Sequence, residues 1–289
     1  MKRTALGLVI LGLAAGAQPQ DIATEVRINE AAPGIYLLDG VSGFSSNMAL
    51  MVGAERVLLI DDGMAPITAD LMATIEELAG RRADFVVNTH VHGDHIGSNS
   101  ALAEDGTIIF AHENIRKRLV EDPASAGGEA GLPVVTFDDS VTFHVNGQAA
   151  HVFHVATAHT DGDAVIHLRD ANVIVAGDLH FNYMFPFIDL DSGGTVAGFI
   201  AGQQRIIDMA DDETVIIPGH GALASKNDLQ ASIDMLRDAQ ARVQNLAEQG
   251  LSEEEVLAEN PLANYHDTWN WGFITTERMT STLYRSATE

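Results

Sequence analysis

The chain has 289 residues, 46% of them hydrophobic and only 8 prolines, which excludes a disordered polymer and leaves room for one large domain or two small ones. Its formal net charge of −25 repels nucleic acid and anionic membrane surfaces, which argues against a nuclease. There is no cysteine, so disulfides, thiolate metal sites and lipid attachment through an N-terminal cysteine are all excluded.

The first seventeen residues differ in kind from the rest. "MKRT" is basic, "ALGLVILGLAA" is apolar, and Ala15-Gly16-Ala17 forms an A-x-A cleavage site. The run is shorter than the ~20 residues that span a bilayer. The expectation is a signal peptide over 1–17, cleaved before Gln18, and a periplasmic or secreted protein with no stable membrane anchor. Loss of Lys2 and Arg3, with no acid among those residues, takes the mature charge to −27.

From Gly34 to Gly63 the pattern predicts three short strands, "GIYLLDG", "SNMALMVG" and "RVLLIDDG". The connection "VSGFSSN" (41–47) is rich in glycine and serine and carries one aromatic, Phe44. "APITADLMATIEELAG" has helical apolar spacing, and "ADFVVNTH" reads as a strand ending in a histidine. A short helix at "IGSNSALAED", a strand at "TIIFAH" and a helix at "ENIRKRLVED" follow. The segment "PASAGGEAGLP" (123–133) is the most mobile-looking stretch, an insertion within one domain.

The next third is β-rich, through "DAVIHLRDANVIVAGD"; a helix at "TVAGFIAGQQRIIDMA" then leads to the strand "TVIIPGHG". The end is helical, with Ser252 capping "SEEEVLAEN". Strands with interleaved helices thus run twice, which suggests helices outside two sheets in a four-layer α/β arrangement. The expected organisation is one domain over 18–289 with a helical C-terminal extension.

The stretch "NTHVHGDHIGSN" crowds His90, His92, Asp94 and His95 into six residues. A core has no use for them, because a buried imidazole or carboxylate costs free energy unless paired. His90 and His92, two apart in an extended segment, can point the same way, and Gly93 permits the turn from which Asp94 and His95 project. Neutral imidazoles with a carboxylate suit zinc, and a set without sulfur agrees with the absence of cysteine.

Four such groups are too many for one catalytic metal that keeps a water and too few to close two sites. Further ligands are therefore expected at other strand ends. Three candidates stand in such places: His159 in "ATAHTDGD", Asp178 in "VIVAGDLH" and His220 in "TVIIPGHG". His180, two residues beyond Asp178, is a candidate substrate contact. His144, His151, His154 and His167 lie in β-rich runs and read as structural, and His112 and His266 receive no role.

The ordered set "THVHGDH", "AHTDGD", "GD" and "PGHG" resembles the metallo-β-lactamase superfamily over Gly34 to Gly221. The resemblance implies an αββα sandwich with two metal ions at one edge, two Zn2+ per chain. It implies that His90, His92 and His159 hold the first zinc, that Asp94, His95 and His220 hold the second, and that Asp178 bridges them. Two such ions lower the pKa of a shared water to near 7, giving hydroxide at neutral pH. Asp94 is the expected catalytic residue, orienting that nucleophile and passing a proton to the leaving group. His180, Asn182 and Tyr183 are expected to help the zinc stabilise the oxyanion, and Phe44 to cover the apolar side of a small-molecule substrate.

The expected reaction is opening of a cyclic amide, a β-lactam first. A lactone or thioester is the alternative, and a non-catalytic metal-binding protein ranks below both. Redox members of the family usually carry Glu where this chain has His92, which argues for hydrolysis. The chain departs from one major β-lactamase subclass at Asp178, where that subclass has Cys. It departs again at Phe181, where that subclass has a Lys for the drug carboxylate and the lactonases have Tyr.

Overall fold

Two runs of alternating hydrophobic residues, one in each half of the chain, build two sheets. The computed structural model describes residues 25–40 and 46–289. The first sheet takes β1 (Val26–Ala32), β2 (Ile35–Gly40), β3 (Asn47–Val52), β4 (Val57–Ile60), β5 (Phe85–Val87), β6 (Ile108–His112) and β7 (Val135–Phe137) in that order. The second takes β8 (Ser140–Val145), β9 (Gln148–His154), β10 (Ala164–Leu168), β11 (Val173–Phe181) and β12 (Val215–His220), paired in reverse order from β12 to β8. Strands β4 to β7 pair in parallel, as do β11 and β12; the other neighbours are antiparallel.

The first sheet carries α1 (Thr68–Ala79), α2 (Gly93–Ile96), α3 (Asn99–Glu104) and α4 (Glu113–Glu121) in its connections. The second is followed or interrupted by α5 (Val196–Met209), α6 (Lys226–Glu248), α7 (Glu253–Glu259), α8 (His266–Trp269) and α9 (Thr276–Thr288).

Neighbouring residues face opposite layers, as a period of two requires. Leu37, Met51, Leu58 and Ile60 meet Val152, Ile166 and Val175 between the sheets. Leu38, Leu50, Val57 and Leu59 turn outward onto Leu71 and Ile75 of α1. On the far side, Val165, Ile174 and Ile216 lie under Phe199 of α5, Ile233 and Leu236 of α6, and Met279 and Leu283 of α9. The result is the four-layer αββα sandwich. Burial on both faces explains why β3 and β4 are nearly unbroken hydrophobic runs. Each buried Leu, Ile or Val contributes about 1.5–3 kcal/mol, which is why so large a core needs no disulfide.

Helix α7 starts at Ser252 as its sequence indicates, with Ser252 and Glu255 closing a reciprocal capping box. Two features depart from expectation. Strand β1 is a largely exposed edge whose polar residues carry no alternation signal. Segment 123–133, expected to be the most mobile, folds as two 3-10 turns (Pro123–Ala126 and Glu129–Gly131) that bury Ala126 and Gly131. Asn99 fastens it by donating Nδ2 to the Gly131 carbonyl. The proposed leader, residues 1–17, lies outside the described residues. Among the described residues no helix is long and apolar enough to cross a membrane.

Candidate metal centre

Parallel strands present their C-terminal ends on the same side, and both sheets place theirs at one edge of the sandwich. Asp61 and Asp62 follow β4, Asn88 to His92 follow β5, Asp178 lies near the end of β11 and His220 closes β12. His159 arrives on the turn between β9 and β10. Asn47, at the start of β3, donates Nδ2 to the carbonyls of Pro218 and Gly221 and so ties the first sheet to the end of β12.

These elements bring all seven candidate ligands together. His90, His92, His159 and Asp178 form one group, and Asp94, His95 and His220 another; within each group one ligand atom per residue lies within 4.8 Å of the others. Asp178 stands between them. Its Oδ2 is 3.6 Å from His90 Nε2 and 3.5 Å from His159 Nε2. Its Oδ1 is 3.1 Å from His95 Nε2 and 3.4 Å from His220 Nε2. Asp94 Oδ2 lies 3.4 Å from His220 Nε2 at the more open side, where its side chain is 24% exposed.

The outward nitrogens explain which lone pairs face inward. Thr89 Oγ1 donates to Asp61 Oδ2, so His90 Nδ1–H donates to that hydroxyl at 3.0 Å. His95 Nδ1–H donates to the same carboxylate at 2.7 Å, and Thr89 N–H reaches Asp61 Oδ1. Asp61 thereby orients two imidazoles from a backbone with φ 57°, a left-handed conformation that Asp tolerates better than most residues. His159 Nδ1–H donates to the Phe187 carbonyl at 2.7 Å, and His92 Nε2–H to Asp189 Oδ2 at 2.9 Å. Each of these four rings is thus left with its other nitrogen as an acceptor aimed at the centre.

Two of those nitrogens, His90 Nε2 and His95 Nε2, are buried without a hydrogen-bond partner, as is Asp178 Oδ1 beside them. Orphaned buried acceptors are costly unless something electropositive satisfies them. Imidazole nitrogens and carboxylate oxygens, tied by second partners and lacking sulfur, suit a dinuclear site for borderline divalent ions such as zinc.

The electrostatics point the same way. Burial disfavours the charged form of His95, yet Asp178, Asp61 and Asp94 outweigh it and hold its pKa well above the ordinary histidine value. For His220 the same contest, with Asp178 and Asp94 prevailing, ends at about 9. In the other group burial prevails: His90 falls well below its ordinary value and His159 to about 4, keeping both neutral. Burial pushes Asp178 up, but His95, His220 and His90 together hold it well below the usual carboxylate range. Asp94 and Asp178 therefore draw positive charge into the second group, as protons on His95 and His220 or as a cation between them.

Beside this edge lies a cavity of about 600 Å³, within the range of small-molecule sites. His92, Asp94, Asp178 and His220 form its polar floor, and Phe181, Phe187, Trp271 and Phe273 its aromatic wall. The expected substrate contacts fare differently from the ligands. His180 is fully buried and absent from the lining, with neither ring nitrogen partnered. Burial lowers its pKa to about 4.

Asn182 donates Nδ2 to the Ala222 carbonyl, and the exposed Tyr183 gives its hydroxyl to Asp228; neither lines the cavity. The oxyanion role expected of His180, Asn182 and Tyr183 is therefore corrected. β11 runs on to Phe181 with irregular register, so these three leave the edge on other sides. Phe44 lies outside the described residues. Sequence reasoning missed Asp61, Asp189, Trp271 and Phe273. The "DDG" after an apolar strand was the one local signal, and it reads equally well as a turn.

Comparison with known proteins agrees with this geometry. The model of the Metallo-beta-lactamase superfamily matches residues 41–220. A type 2 metallo-beta-lactamase of Bacillus sp. (strain 170) is 22% identical over 193 residues, 66% of this chain and 73% of that protein. An acyl-coenzyme A thioesterase, MBLAC2 of Homo sapiens, is 23% identical over 209 residues, 62% of this chain and 74% of that protein. The solved structure of a metallo-beta-lactamase from Pontibacter korlensis aligns with a TM-score of 0.64 at 20% identity, over 74% of this chain and all of that one. At that identity the structural likeness is one of fold.

Proposed function

The chain belongs to the metallo-beta-lactamase superfamily and is a metal-dependent hydrolase, and from that premise we propose that it is an exported enzyme using two zinc ions to open a small cyclic amide or ester. The observation that carries this reading is Asp178, one carboxylate whose two oxygens face two different histidine groups. His90, His92 and His159 would hold one ion and Asp94, His95 and His220 the other, with Asp178 available to both. When bound, the pair supplies Lewis acidity and a water acidified to near pH 7.

The chain's own residues do the positioning. Asp61 and Thr89 fix His90 and His95, and the loop of Phe187 and Asp189 fixes His159 and His92. Asp94, partly open to the cavity, orients the attacking water and moves a proton at Oδ2 to the leaving group. The aromatic wall keeps bulk water from the reacting carbonyl.

A β-lactam is the first ring to test, since it is named for the Bacillus relative. A lactone or other ester is the second reading. It is favoured because no lysine or arginine lines the cavity among the described residues, and residues 41–45 contain none. A coenzyme A thioester fits less well, because its phosphates meet a chain of net charge −27 after cleavage. Titration of the mature protein with zinc, followed by turnover of β-lactams, lactones and thioesters, tests the proposal. Two bound ions with no turnover of any class sink it.

Two smaller results follow from the same reading. Asp189→Ala frees the ring of His92 and is expected to weaken metal binding about 10–100-fold in competition with a chelator. Unchanged affinity would reduce Asp189 to the cap of its own 3-10 turn, where it accepts from Ser192 N–H. For export, N-terminal sequencing of the secreted protein is expected to begin at Gln18. Met1 retained on a membrane-bound form refutes cleavage.

A further inference from the structure

The cavity wall specifies more than shelter from water. Its rings are contiguous: Trp271 and Phe273 have centroids 5.7 Å apart, Phe187 and Phe273 5.4 Å, and Phe181 and Trp271 6.1 Å. Trp271 Nε1 donates to the Phe185 carbonyl at 2.9 Å, so the polar edge of the indole is already satisfied. Arg278 does not line this cavity. Its guanidinium stacks on Phe273 at 4.2 Å and on Phe187 at 5.2 Å, donates to the Phe273 carbonyl, and lines a separate depression beside Asp189 and Asp191.

The charged side chains in the lining are thus the carboxylates of Asp94 and Asp178 and the imidazoles beside them, all belonging to the proposed metal groups. A carboxylate on a substituent directed away from the metal groups, along Trp271 and Phe273, meets aromatic faces and no cationic side chain of the lining, at a desolvation cost. An alkyl or aryl substituent loses only water there and gains ring contacts.

We propose that the substrates are uncharged esters and lactones carrying an apolar alkyl or aryl group, which Trp271 and Phe273 hold beside the reacting carbonyl. The inference rests on the hydrolase reading and decides between its two rings. In the reaction the water oxygen bonds to the carbonyl carbon and the bond from that carbon to the alkoxy oxygen breaks. One proton of the water passes to the alkoxide and the other is released, leaving a carboxylate and an alcohol.

The test uses two substrates of equal chain length, 4-nitrophenyl hexanoate and the mono-4-nitrophenyl ester of adipate, which differ by one terminal carboxylate. With zinc-loaded mature protein, kcat/KM is expected to favour the hexanoate at least tenfold. Phe273 is 37% exposed, so it can be replaced without opening the core. Phe273→Ala is expected to raise KM for the hexanoate at least fivefold with little change in kcat, and Phe273→Arg to shift the preference toward the adipate ester. Arg278→Ala is expected to leave the hexanoate-to-adipate ratio unchanged.

A readout independent of turnover is quenching of tryptophan fluorescence by hexanamide and by adipamate, with and without zinc. Hexanamide is expected to bind more tightly in both states and to weaken in Phe273→Ala. Equal or better use of the adipate ester by wild type overturns the proposal, as does loss of that activity specifically in Arg278→Ala. If hexanamide binds through Phe273 while zinc-loaded protein opens no ester, lactone or lactam, the hydrolase reading falls and the selectivity of the wall stands.

Discussion

Protein loaded with zinc is expected to hold two ions per chain, and His92→Ala and His220→Ala are each expected to empty a different one while lowering kcat/KM about a thousandfold or more. The size follows from what a metal does in such a site: it contributes several kcal/mol to transition-state stabilisation, and each 1.36 kcal/mol is a factor of ten. The difference in which ion is lost follows from geometry. His92 Nδ1 lies 2.9 Å from His159 Nε2, on the Oδ2 side of Asp178. His220 Nε2 lies 3.4 Å from both Asp94 Oδ2 and Asp178 Oδ1. Neither side chain is part of the hydrophobic layers, so in the metal-free form both variants should melt near metal-free wild type, while each lacks the added stability of the ion it no longer holds. Elemental analysis with steady-state kinetics checks the result. Two ions retained in both variants would contradict the assignment.

How much of this was legible beforehand depended on how local each signal is. The grouping of His90, His92, Asp94 and His95 is written in six residues, and the later candidates each follow an apolar strand. Strand ends are visible in sequence, and the fold gathers them at one edge. The supports are not visible that way. Asp189 reaches His92 across 97 positions, and Asp61 reaches Thr89 and His95 across 28 and 34. Only the packing of two sheets creates those neighbours. The aromatic wall has the same origin: Trp271 and Phe273 lie in a C-terminal segment that is tied beside the end of β11 by hydrogen bonds from Trp271 Nε1 to the Phe185 carbonyl and from Phe185 N–H to the Trp269 carbonyl.

His180 shows the opposite failure. Two residues beyond Asp178, it should share a face with it in a regular strand. The register of β11 slips between Gly177 and Phe181, so the parity argument breaks and His180 is buried. Strand β1 escaped for a simpler reason, because an exposed edge needs no alternation.

Asp178→Ala is expected to have the widest effect of any single change at the centre. It removes an acceptor from both groups at once, so occupancy of both ions should fall together and kcat/KM should drop by about a thousandfold or more. Gly219 gives a second route to the same atom. A Cβ built there would lie 2.0 Å from Asp178 Oδ1 and 2.8 Å from the carbonyl carbon of Gly177. Turning the carboxylate away relieves only the first contact; the backbone contacts at Gly177 and Asp178 require β11 and β12 to shift apart as well, so Asp178 is displaced by either route. The missing side chain at Gly219 thus leaves the room that the Asp178 carboxylate occupies.

Gly219→Ala is therefore expected to reproduce the loss of metal seen in Asp178→Ala, with an overpacking cost of about 1–3 kcal/mol added. Asp178→Ala itself should keep its far-ultraviolet circular dichroism. Metal content, turnover and thermal melts of the two variants separate the effects. If Gly219→Ala keeps both ions and full activity, Asp178 does not need the position the fold gives it. If Asp178→Ala does so as well, that residue is only a buried polar position of β11.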